Sequence, residues 1–228
     1  DATPADVPFG VLAGWRIDEI AAVLPTSGLN ISPEDFIAAA LSRPQGFTFS
    51  SELPESATFE GFLYPDVYNL PRDTTAAELV ATLSDRFDTQ ITDDIRQGFA
   101  SQGFSVFEGV TLASIVQREA ILEDEMPIIA SVFINRLSQR MKLDSDPTVQ
   151  YAIGFNSIQN TWWTNPIQDT SIDSPYNTYL HPGLPPGPIS NPGITALRAV
   201  AFPAQTGYFY FRAACDHSGH HLFAKTYD

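Results

Sequence analysis

An α+β fold follows from three features of this 228-residue chain. Apolar residues recur at three- and four-residue spacing in several segments, long stretches between them are broken by Pro, Gly and aromatic residues, and two short aromatic runs near the end flank Ser218-Gly219. Residues 1–10 are small, polar and Pro-containing, and read as a tail. Ile17, Ile20, Ala21 and Leu24 fall at helical spacing and predict a helix that ends before Pro25. Ser32-Pro33-Glu34-Asp35 starts a second helix: Ser caps it, Pro takes its first position, and the acids face the positive end of its dipole. It runs through Phe36, Ile37 and Leu41 and stops by Pro44, so two short helices make a small first module. Phe47 to Pro71 is too irregular for a helix. Helices then start near Thr75 (Leu79, Leu83, Phe87) and near Thr111 (Leu112, Ile115, Val116), the latter ending at Glu123-Asp124-Glu125. Pro127 opens another, striped by Ile129, Val132, Phe133 and Leu137. Residues 142–193 read as a long loop region, Asn191-Pro192 begins a last helix (Ile194, Leu197, Val200, Ala201), and Tyr208–Phe211 with His221–Ala224 forms a hairpin.

Composition narrows the partners. With 12 Lys+Arg against 27 Asp+Glu the net charge is −15, which excludes a basic face for nucleic acid. Hydrophobic residues at 43% and 16 Phe exclude disorder, and no run approaches the roughly 20 apolar residues of a membrane span. The single Cys215 excludes an internal disulfide. Charged residues are only 17%, against roughly 25% in an average domain. With 18 Pro and eight Tyr, the surface is polar and aromatic more than ionic, and suits neutral, hydroxyl-rich polymers such as polysaccharides.

Glu119 is the sharpest local anomaly. It lies three, four and seven residues beyond Val116, Ile115 and Leu112, on the helix face that should enter the core. A carboxylate drawn out of water holds its proton more tightly, and a protonated carboxyl near neutral pH is what a general acid needs. The alternative is a buried Glu satisfied by Arg or backbone donors. Arg136 repeats the oddity, standing seven, four and three residues after Ile129, Val132 and Phe133. It either holds a loop through Asp144 or Asp146, or pairs with Glu119 and lowers its pKa.

Weaker constellations are also present. Cys215, His217, His220 and His221 surround a turn without a second ligand cluster, which disfavours a zinc site, and no metal is expected. Ser145, Asp146 and His181 lack a nucleophile-elbow sequence. Tyr64, Tyr151, Trp162, Trp163 and Tyr176 suit either stacking on sugar faces or ordinary packing. With no Gly-rich phosphate loop, no cofactor is expected.

Several blocks carry a family resemblance. Glu60-Gly61-Phe62-Leu63-Tyr64-Pro65-Asp66-Val67-Tyr68 resembles a signature of the MltG (YceG-like) endolytic murein transglycosylases. Leu112-Ala113-Ser114-Ile115-Val116-Gln117-Arg118-Glu119-Ala120 is similar to that family's acidic helix, and Ala130-Ser131-Val132-Phe133-Ile134-Asn135-Arg136-Leu137 to its next helix. Leu143-Asp144-Ser145-Asp146-Pro147-Thr148-Val149-Gln150-Tyr151, Ser174-Pro175-Tyr176-Asn177-Thr178-Tyr179 and Gly183-Leu184-Pro185-Pro186-Gly187-Pro188-Ile189 follow in family order.

The resemblance implies a small LysM-like module at 1–46 and a mixed helical and β catalytic domain at 47–228. It implies a lytic transglycosylase that cuts nascent peptidoglycan between N-acetylmuramic acid and N-acetylglucosamine, leaving 1,6-anhydro ends, with Glu119 as the single general acid/base. Gln117 departs from a family position that is acidic elsewhere. Glu60, Tyr64, Asn135, Arg136, Asp146, Thr148, Tyr151, Tyr176 and Asn177 are implied to bind substrate or support the site. Further expectations are an N-terminal membrane helix outside these residues, an extracytoplasmic catalytic domain at the bacterial cell membrane, and peptidoglycan synthases (penicillin-binding proteins) as partners. Two alternatives stay open: a lysozyme-type hydrolase with Glu60 or Asp146 as second carboxylate, and a non-catalytic peptidoglycan-binding protein in which Glu119 is structural.

Overall fold

The computed structural model describes residues 6–165, 169–216 and 218–227. These fall into two compact units, the first running to Thr92 and taking in Ser190–Gly193, the second comprising Asp93–Ile189 and the chain from Ile194 onward.

The first unit opens with a strand where the sequence suggests a tail. β1 (Val7–Gly10) pairs antiparallel with β2 (Val67–Leu70), in register Val7↔Leu70 and Phe9↔Tyr68. The alternation of buried Val7 and Phe9 with exposed Pro8 and Gly10 is a strand pattern too short to stand out from a polar N-terminus. α1 (Ile17–Ser27) carries Pro25 inside its last turn, not beyond its end. Pro there forfeits one backbone bond close to where the helix stops anyway, at Gly28 in the left-handed conformation (φ 90°). α2 (Pro33–Ala40) starts as expected, the Ser32 side chain accepting from the Asp35 N–H. α3 (Ala76–Gln90) begins at a reciprocal Thr75–Glu78 capping box. Four rings centre the core: Phe47 stacks on Phe49 at 4.9 Å, and Phe62 meets Phe87 edge-on at 5.1 Å. Because β1 pairs with β2 and α2 packs on α3, the expected division after residue 46 falls inside this unit.

The second unit is built from α4 (Asp93–Ser101), α5 (Val106–Glu119), α6 (Met126–Ser138), α7 (Asp146–Ile153), α8 (Ile194–Ala201) and a hairpin of β3 (Tyr210–Ala213) with β4 (His221–Ala224). α8 packs against α4, α5 and α6. α5 begins at a Ser105–Glu108 capping box, six residues before the expected start, and ends at Glu119, so Leu122 lies outside it. α7 lies within the stretch read as loop, with Pro147 in its first turn. Two glycines set helix contacts: a Cβ on Gly109 would come within 2.5 Å of the Phe99 ring, and one on Gly98 within 2.7 Å of the Ala201 side chain. Among the described residues no single helix is long and apolar enough to cross a membrane.

Candidate active site

α5 delivers Glu119 to the site. Leu112, Ile115 and Val116 are fully buried, and the same helix face reaches a cavity of about 460 Å³ just as the helix ends. Glu119 therefore lies partly exposed at the cavity wall, flanked by Arg118, Asp146, Gln150, Tyr179 and His221. Ser145 Oγ donates to Glu119 Oε1 at 2.5 Å. Burial pushes the Glu119 pKa up to about 7. The Ser145 hydroxyl opposes that rise, the Asp146 charge adds to it, and the more remote Arg136 charge slightly offsets it.

Ser145 is itself fixed. Its N–H donates to Thr178 Oγ1 at 3.0 Å, its carbonyl accepts from Thr148 Oγ1 at 2.7 Å, and the Thr148 and Thr178 hydroxyls meet at 2.9 Å. All three residues are buried, so the backbone that carries the partner of Glu119 is held in place. Asp146 is exposed beside them and accepts from the Tyr179 hydroxyl at 2.7 Å. Burial, then that bond to Asp146, pushes the Tyr179 pKa upward, so the phenol stays a donor.

Arg136 resolves as a scaffold residue. Its Nε donates to the Phe209 carbonyl at 2.6 Å, and its Nη1 to the Leu143 carbonyl at 2.8 Å and to Asp144 Oδ2 at 3.3 Å. The guanidinium thus ties the Asp-containing loop to the start of the hairpin and does not pair with Glu119. Asn135 has a similar task, its Nδ2 donating to the carbonyls of Thr206 (3.1 Å) and Tyr208 (2.9 Å). Asn177, fully buried, clamps its own loop through Thr170 O (2.8 Å), Ile172 O (2.9 Å) and the Tyr179 N–H (3.0 Å). Tyr151 and Tyr176 pack on each other at 4.8 Å.

Of the expected site residues, Glu119, Arg136 and Asp146 line the cavity, Thr148 supports it through Ser145, and Asn135 and Asn177 hold neighbouring segments. Glu60 and Tyr64 belong to the first unit. The buried Glu60 carboxylate accepts from the Ile17 N–H at 3.2 Å and from Asn191 Nδ2 at 3.3 Å. Tyr64 is buried, with its hydroxyl 3.4 Å from Gln90 Oε1. Trp163 carries the Arg118 guanidinium 3.8 Å above its ring, and Trp162 packs on Phe155 at 4.9 Å. Among the described residues no group of three or more His, Cys, Asp or Glu side chains could hold a metal. His220 and His221 contact Glu125 instead, Cys215 lies 3.6 Å from Arg212, and His217 lies outside the described residues. Sequence reasoning missed Ser145 as the partner of Glu119, along with Tyr179 and Gln150 on the wall. The signal available was the Ser145-Asp146-Pro147 helix start, which points a capping-type side chain at a neighbouring helix end.

The fold of the chain is shared with a solved structure. A crystal structure of a YceG-like protein from Listeria monocytogenes matches with a TM-score of 0.81 at 29% identity, over 99% of this chain and 74% of that one. The YceG-like family profile matches residues 2–228. The chain belongs to the YceG-like family. Proteins named endolytic murein transglycosylase are similar to it: that of Bacillus subtilis is 35% identical over 167 residues, covering 73% of this chain and 44% of the relative. That of Streptococcus pneumoniae D39 is 30% identical over 186 residues, covering 80% of this chain and 34% of the relative. The chain spans less than half the length of these two relatives.

Proposed function

We propose that this chain carries the catalytic part of an endolytic peptidoglycan lytic transglycosylase, with Glu119 as its general acid and base. The observation that carries the reading is the Glu119 carboxyl, drawn to a pKa of about 7 at the wall of an open cavity and oriented by a single fixed hydroxyl. The relatives' names support the reaction class.

In the proposed step, protonated Glu119 gives its hydrogen to the oxygen linking N-acetylmuramic acid to N-acetylglucosamine. The bond from that oxygen to the anomeric carbon of the muramic acid breaks. The C6 hydroxyl oxygen of the same sugar attacks that carbon and closes the 1,6-anhydro ring, and its proton passes to the Glu119 carboxylate. Water takes no part, and the acid is regenerated for the next cut. A pKa near the working pH suits a group that must first give and then take a proton.

A hydrolase is the second reading, because Asp146 lies on the same cavity wall. Its bond from Tyr179 favours a positioning role over activation of water. Against Glu60 as that second carboxylate stand its burial and its bonds from the Ile17 N–H and the Asn191 side chain within the first unit. The reading carries with it an extracytoplasmic site at the bacterial cell membrane, since that is where the polymer is made, and peptidoglycan synthases as partners. The LysM-like assignment of the N-terminal module enters as part of the same proposal, supported by the two short helices that follow β1. Its second strand would have to come from β2, beyond residue 46.

Removing the acid is the direct test. Glu119→Gln keeps the shape and the Ser145 contact but offers no carboxyl proton, so release of muropeptides from purified glycan strands should fall by about 10²–10⁴-fold. Release at the wild-type rate would refute the assignment.

A further inference from the structure

A second titratable cluster lies beside the Glu119 cavity, and the step above makes no use of it. Glu125, where the chain enters α6, is buried, and its carboxylate faces His221 three times over. The His221 N–H donates to Oε1 at 3.0 Å and to Oε2 at 3.2 Å, while His221 Nδ1 lies 2.8 Å from Oε2. The exposed His220 adds Nδ1 at 3.1 Å from Oε1. Burial alone would push the Glu125 pKa up, yet these bonds, those from His221 foremost, hold it below the usual carboxylate range.

An ionised carboxylate can only accept, so the short bond to Glu125 assigns a ring proton of His221 to Nδ1. The ring is wedged edge-on against Phe211 at 5.5 Å and lies 6.3 Å from Phe223, with its side chain 7% exposed. Nε2 is bonded to no described protein group, and His221 lines the same cavity as Glu119, Asp146 and Tyr179. A carboxylate that fixes one ring nitrogen so that the other meets a ligand is a recurrent device for orienting imidazoles.

We propose that His221 is a substrate-binding residue of this site, making a hydrogen bond through Nε2 with a hydroxyl of the glycan held against Glu119. The proposal rests on the glycan reading above and adds to it a specificity-determining contact and the Glu125 side chain that orients it. A purely structural His221 would be a staple between β4 and the start of α6, with nothing to offer the substrate.

His221→Asn separates the two roles. An asparagine amide nitrogen falls near the position of Nδ1, so the Glu125 bond is kept while Nε2 is deleted. The expected result is a thermal midpoint close to wild type with KM for purified glycan strands raised about tenfold, the scale of one lost bond to a polar group. His221→Gln, whose amide reaches nearer to Nε2, should recover part of that loss. A stable His221→Asn enzyme with wild-type KM and kcat would overturn the proposal. Should the variant fail to fold, the wild-type protein answers by nitrogen-15 NMR on adding a peptide-free oligosaccharide of alternating N-acetylglucosamine and N-acetylmuramic acid. The His221 Nε2 resonance should move while that of the exposed His181 stays fixed, and an unmoved His221 signal overturns the proposal. Wild-type protein that cuts no strand at all would count against the glycan reading itself.

Discussion

In the proposed reaction, the hydrogen bond between Ser145 and Glu119 sets the state of the acid. The hydroxyl stabilises the carboxylate form and so opposes the burial that raises the Glu119 pKa to about 7. Ser145→Ala removes that opposition, and the folded-state pKa moves further up. If the protonated acid is the active form, activity is lost as pH rises through that pKa, so the alkaline limb of kcat/KM should move to higher pH in the variant. A pH–rate profile checks this, and a limb that moves down or stays put would mean that Glu119 is not the group being titrated. The need for a special Glu119 was legible from Leu112, Ile115 and Val116 alone, because helical spacing fixes a face. Its partner was not legible, because Ser145 is 26 residues further on and reaches Glu119 only through tertiary folding.

Among the elements, α5 shows both the strength and the limit of pattern reading. Its apolar stripe locates the helix, but the stripe alone starts it near Thr111, whereas the Ser105–Glu108 capping box starts it at Val106. α4 escaped notice because only Ile95 and Phe99 anchor its nine residues apart from Gly98, a stripe too thin to separate from a polar loop. β1 and β2 escaped because each is four residues long and gains meaning only from the other, about 60 positions away. α7 was obscured by the Pro and Asn around it, although Pro147 is well placed at a helix start. The α4–α5 contact is close enough to test: Gly109 lies under the Phe99 ring, where a Cβ would sit 2.5–2.7 Å from three ring carbons. Gly109→Ala should therefore destabilise by about 2 kcal/mol despite the better helix propensity of Ala, read as a lower denaturation midpoint. A gain in stability would mean that the two helices are not held this closely.

At the scale of the whole molecule, charge is the broadest constraint. A chain with net charge −15 still places Arg118, Arg136 and Arg212 on the wall of one cavity, beside Glu119, Asp144 and Asp146. Arg136 is held by backbone carbonyls and Asp144, and Arg118 lies over the face of Trp163, so both cations are tied into the cavity wall. The class and the order of most helices were legible in the sequence, as was the residue proposed to do the chemistry. The grouping into units was not, since residues 190–193 rejoin the first unit through Asn191, whose side chain meets the Leu63 N–H at 2.9 Å. The central claim is that one carboxyl, unaided by water, both gives and takes back a proton during bond cleavage. Mass analysis of the new strand ends after digestion of purified glycan by the wild-type protein tests it most directly. Ends lighter by one water than hydrolysed ones are expected, because the C6 oxygen closes the ring in place of water. Ends carrying that water would contradict the account and make Asp146 the activating base of a hydrolase.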